Sequence, residues 1–143
     1  MKLNIHVSNQ KGLRWLLDQI STKGITINYQ LYNSYDVLGR SNGTFKVIAN
    51  LRYFAENKPV EIQIQKDLFL PQFTFLLELT VFHELLHLVL QWDNKSDPHD
   101  NTFWTLLEKL TKRIESRAIK ELEAWYEFVE NQRDFPAGLS RRQ

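Results

Sequence analysis

From Gln10 to Thr22 the apolar positions Leu13, Leu16, Leu17 and Ile20 recur at three and four residues, the stripe of an amphipathic helix. Ser8 or Asn9 stands where such a helix takes its N-cap, and Gly24 stands where a helix C-terminus favours glycine. Ahead of it, Leu3, Ile5 and Val7 alternate with polar neighbours, a short strand or extended lead-in. Behind it the period changes to two. Ile25, Ile27, Tyr29 and Leu31 alternate with Thr26, Asn28, Gln30 and Tyr32, which reads as a strand with one buried face. A second strand follows the Asn42-Gly43 turn pair through Phe45, Val47 and Ala49, and a third follows the polar break Glu56-Asn57-Lys58-Pro59 through Val60, Ile62 and Ile64.

The pattern from Gln72 to Gln91 is apolar nearly all round, with Pro71 near its first turn, as expected for a helix covered on several sides. Glu78, His83, Glu84 and His87 interrupt it, more ionisable groups than a membrane-spanning helix tolerates, so it reads as a buried core helix. Trp92 to Asp100 breaks the periodicity with a polar loop. From about Asn101, Leu106, Leu107, Leu110, Ile114, Ala118, Leu122, Trp125 and Val129 continue at helical spacing, in one long helix or two joined near Arg117. Helix, three strands, core helix and terminal helices make an α+β layout. A chain of 143 residues suits one domain, taken as residues 1–134, with a flexible tail over 135–143.

Composition narrows the chemistry. Eighteen Lys and Arg oppose seventeen Asp and Glu, so the field of the whole molecule gives no argument for nucleic acid or an anionic membrane. The absence of cysteine excludes disulfides, a thiol nucleophile and any cysteine-ligated zinc finger within this chain. The N-terminal residues lack the apolar core of a signal peptide, which points to the cytoplasm and to no membrane partner.

The candidate chemistry lies in the core helix, in the run His83-Glu84-Leu85-Leu86-His87. Residues four apart share a helix face, so two imidazoles can meet one metal ion with Glu84 beside them, the H-E-x-x-H arrangement of zinc hydrolases. A catalytic Zn2+ usually has three protein ligands, and His99, twelve residues after His87 beyond the polar loop, is the candidate third donor. Glu121 and Glu123 on the last helix are the rival donors. Glu84 takes the role of general base toward a zinc-activated water, which makes peptide bonds the expected substrate. Arg40 and Tyr29, Tyr32, Tyr35 and Tyr53 are open candidates for an oxyanion donor, and Asp100 or Glu78 for orienting a ligand imidazole. Phe103, Trp104, Trp125 and Phe128 read as core anchors. A peptide substrate could add as an extra strand to an exposed edge of the sheet.

The run Val81 to His87, followed by His99-Asp100-Asn101-Thr102-Phe103-Trp104, resembles the SprT-like and Wss1-like group of zinc metallopeptidases. The resemblance covers roughly Ile25 to Leu110 and implies a minimal zincin-like metallopeptidase domain. It also implies His83, His87 and His99 as zinc ligands, Glu84 as general base, and protein substrates associated with DNA. A looser likeness, through Glu121 or Glu123 near Ala124 and Phe128, is to compact peptidases that cleave phage-type repressors with a glutamate third ligand. From a different class comes a non-catalytic metal-binding interaction module, against which the presence of Glu84 argues.

Overall fold

The computed structural model of the chain describes residues 6–32, 49–52, 60–90 and 100–134. Their order is helix α1 (Gln10–Thr22), strands β1 (Ile27–Tyr32), β2 (Ala49–Arg52) and β3 (Val60–Gln65), two 3-10 turns (Lys66–Phe69 and Pro71–Phe73), then helices α2 (Thr74–Leu90), α3 (Asn101–Thr111) and α4 (Glu115–Asp134). The arrangement is α+β with helix predominant, as the alternation of periods indicates.

Helix α1 has the boundaries its pattern sets. The Asn9 side chain accepts from the Gly12 N–H at 2.9 Å, and the chain leaves the helix through Gly24 at φ +75°, a conformation that costs glycine little. Leu16 and Ile20 are buried, whereas Leu17 stays at the rim. Gly12 faces the end of α3 so closely that a Cβ there would meet Leu110 Cδ2 at 2.9 Å and the Asn9 side chain at 2.5 Å. At the same crossing Asn9 Nδ2 donates to the Leu110 carbonyl at 2.9 Å.

The three strands form one sheet in the order β1-β3-β2. β1 runs parallel to β3 with Ile27 opposite Val60 and Tyr32 opposite Gln65, while β2 runs antiparallel with Ala49 opposite Ile64. Alternation does what the period of two requires: Ile62 and Ile64 are buried, and Ile27, Tyr29 and Leu31 pack against the same core. His6 and Val7 are not in a strand, and Val7 is buried. The expected strand at Leu3 and Ile5, the segment Phe45 to Val47 and the tail from 135 lie outside the described residues.

Helix α2 is the centre of the molecule. It packs against α1, α3, α4, β2 and both 3-10 turns, which is why its residues Leu76, Val81, Phe82, Leu85, Leu86 and Leu88 are buried in nearly every direction. The stretch Pro71–Leu90 is long and apolar enough to cross a membrane by length and composition, but 72% of it is buried inside the protein, as befits a core helix. Pro71 opens the 3-10 turn before α2 rather than α2 itself. The terminal apolar pattern resolves into two helices that meet at residues 112–114, slightly earlier than Arg117.

Polar fasteners tie the flanking helices to α2. Glu78 accepts from the Ser8 N–H at 2.9 Å, from Ser8 Oγ at 2.8 Å and from the Asn9 N–H at 3.3 Å, so its carboxylate holds the entry to α1. Glu121 of α4 accepts from the Leu76 N–H at 2.8 Å, satisfying a first-turn amide at the positive end of the α2 dipole. Trp125, fully buried in α4, donates Nε1–H to Asp67 at 2.7 Å and locks the last helix to the turn after β3.

Candidate metal centre

His83 and His87 sit on one face of α2, as a spacing of four dictates, with ring centroids 4.8 Å apart. Glu84 is next to them, its Oε2 3.9 Å from His83 Nε2. The metal-ligating atoms of all three residues lie within 4.8 Å of one another. The two imidazoles form a donor pair of the kind zinc accepts, with the carboxylate beside it. At that separation small side-chain rotations bring both imidazoles onto one ion, so the residues fit the metal that the sequence implies.

The electrostatics of the three differ. The His83 side chain keeps 30% of its surface in solvent, while Glu84 is only 7% exposed. Burial disfavours the charged carboxylate and pushes the Glu84 pKa from 4.5 up to about 7. A carboxyl with its midpoint near neutrality is matched to taking and returning protons at neutral pH. A cation held by the neighbouring imidazoles would favour the carboxylate and draw that value back down.

Helix α3 supplies a wall of rings. Asp100 is its N-cap, accepting from the Phe103 N–H at 2.9 Å, and this starts the helix so that Phe103 and Trp104 turn toward the imidazoles. The Phe103 ring stacks on His87 at 4.5 Å and meets His83 edge-on at 5.0 Å. Trp104 approaches His83 at 6.3 Å. Phe103 is fully buried, as a core anchor should be, but Trp104 is 50% exposed and so is not the core anchor its type suggested.

Of the sequence-derived candidates, the fold brings His83, Glu84 and His87 together. His99, Arg40, Tyr35 and Tyr53 lie outside the described residues. Tyr29 is packed against the core, where burial raises its phenol above the ordinary value. Glu78 does not orient an imidazole. Five residues before His83 it projects about 140° round the helix, and its oxygens are committed to Ser8 and Asn9. Asp100 serves as the α3 cap. Glu121 is held at Leu76, seven residues and about 10 Å of helix before His83, and Glu123 is exposed. Among the described residues neither glutamate joins the cluster.

What sequence reasoning passed over is the ring wall. Its signal was present: an Asp N-cap followed at the third and fourth positions by two aromatic residues puts both rings on the first turn of α3, facing whatever α2 presents. Comparison of the chain with protein-family models, with curated proteins and with solved structures finds no match.

Proposed function

We propose that this chain is a zinc-dependent peptidase of the cytoplasm, built on a zincin-like domain. The observation that carries the reading is the convergence of His83, His87 and the buried Glu84 carboxyl within 4.8 Å on one helix. In this reading His83 and His87 hold the ion and His99 is the third donor. Bound zinc would polarise the scissile carbonyl and lower the pKa of water to about 7.

The remaining steps belong to the protein. Glu84, buried beside the imidazoles, accepts a proton from water as the new C–O bond forms at the carbonyl carbon. It delivers that proton to the amine nitrogen as the C–N bond breaks, so the carboxylate is regenerated and one water is consumed. Phe103, stacked on His87, fixes the plane of that imidazole and keeps water from its flank. The resemblance to SprT-like peptidases extends the proposal to DNA-associated proteins as targets. The glutamate-liganded, repressor-cleaving reading draws no support from Glu121, which is tied to the opposite end of α2.

The test pairs metal content with cleavage of an unfolded protein. The wild type is expected to hold one zinc per chain and to cleave, while Glu84→Gln holds zinc and does not cleave. Equal cleavage by the variant would overturn the mechanism, and zinc binding without cleavage by the wild type would leave a metal-binding module.

A further inference from the structure

Five large apolar side chains among the described residues keep more than a third of their surface in water: Trp15, Leu17, Leu70, Trp104 and Ile119. Trp104 is the most exposed of them at 50%, and its ring lies 6.3 Å from the His83 imidazole. The indole stands edge-to-face against Phe103, with centroids 5.3 Å apart and planes at 88°. Phe103 is itself buried and stacked on His87, so the indole is backed by a fixed ring rather than by a mobile loop. A rigid aromatic surface of roughly 100 Å² is thus left in water beside the reactive residues.

From this placement we infer that Trp104 is the floor of a substrate subsite that selects an apolar or aromatic side chain next to the scissile bond. The inference rests on the peptidase reading and names which peptides that site takes. Covering the indole with an apolar group removes both surfaces from water, and an aromatic group adds an offset-stacked or edge-to-face contact. The other side-chain classes are disfavoured for separate reasons. A carboxylate meets the negative face of the indole, and a side-chain carboxylate drawn to the ion would occupy it in place of the scissile carbonyl. A lysine or arginine is attracted to the indole face, but it must approach a site that holds a divalent cation, and the repulsion opposes it.

The experiment uses the full chain carrying Glu84→Gln, loaded with zinc, so that binding is read without turnover. Capped hexapeptides of otherwise identical sequence carry Phe, Ala, Asp or Lys at each position in turn, and affinities are measured by calorimetry alongside the tryptophan emission of the protein. At one position Phe is expected to bind about tenfold tighter than Ala, with Asp and Lys weaker still, and with a blue shift of emission. Adding Trp104→Ala should reduce the Phe-to-Ala ratio below about twofold while the protein stays folded and keeps its zinc, and Trp104→Phe should restore most of the ratio. A ratio that survives Trp104→Ala, no Phe preference at any position, or Asp or Lys binding best would each overturn the subsite. The two readings fail separately. Trp104-dependent Phe selection in a wild type that never cleaves would sink the peptidase and leave the subsite, whereas cleavage without any Phe preference would do the reverse.

Discussion

The Phe103 ring lies against the His87 imidazole at 4.5 Å with only 22° between the planes, so the first turn of α3 clamps the second histidine of α2. Two consequences can be measured. Phe103→Ala empties a fully buried site and should lower folding stability by about 3–5 kcal/mol, and it should weaken zinc binding because His87 gains rotational freedom. Phe103→Leu keeps most of the volume and should cost about 1 kcal/mol, yet still lower zinc affinity, since the flat contact is lost. Denaturant unfolding and a competition titration with a chelator report the two effects independently. Unchanged zinc affinity in Phe103→Leu would show that the stacked ring does not position His87.

The raised pKa of Glu84 gives a pH dependence with a definite sign. Unfolded, the carboxyl titrates near 4.5, and folded it titrates at about 7. Between these values the folded form keeps a proton that the unfolded chain has released, so stability of the metal-free protein falls as pH rises through that window. The whole loss is about 3 kcal/mol, complete once the pH passes the folded value. Glu84→Gln carries no titrating group there and should flatten this part of the profile. Zinc should also flatten it, because a cation beside the carboxylate lowers its folded pKa. Melting curves from pH 4.5 to 8 with and without zinc give the answer, and parallel profiles for wild type and variant would contradict the assignment.

The proposed zinc ligands can be separated from the carboxylates that fasten the fold. Alanine at His83, His87 or His99 is expected to reduce zinc content to well below one per chain. Glu121→Gln and Glu123→Gln should keep zinc. Glu121→Gln should instead lower stability by about 1–2 kcal/mol, since a charge-assisted bond to the first turn of α2 becomes a neutral one. Loss of zinc in Glu121→Gln would overturn its placement as a helix cap.

Glu78 offers a sharper contrast. Its carboxylate accepts three hydrogen bonds from Ser8 and Asn9, so Glu78→Ala removes three part-buried, charge-assisted bonds and should destabilise by about 1–3 kcal/mol. Hydrogen exchange should quicken first in α1, with zinc affinity and cleavage per folded molecule retained at low temperature. A drop in zinc affinity in the folded variant would return Glu78 to the role of orienting an imidazole.

Local rules were legible in the sequence wherever a residue's partner is near in the chain. Asn9 and Gly24 bound α1, and the alternation of Ile62 and Ile64 marks the buried face of β3, because period and capping are short-range physics. The same reasoning brought His83, Glu84 and His87 to one face. What it could not reach was set by tertiary pairing. The parallel match of β1 with β3, with β2 on the far side, depends on a register between segments about thirty residues apart. Glu78 and Glu121 look alike as sequence, two acidic residues at helical spacing, and only the backbone amides they meet 70 and 45 residues away distinguish a fastener from a ligand. Trp104 has the composition of a core residue, but its neighbour Phe103 takes the inward position and leaves it at the surface.

The hydrogen bond from the Leu76 amide to Glu121 also sets an order of events during synthesis. Helix α2 emerges from the ribosome well before the segment that caps it, so its first turn and its apolar flank against α4 stay hydrated until 45 further residues have been made. Docking of α4 is therefore what completes the first turn of α2 and covers its apolar flank.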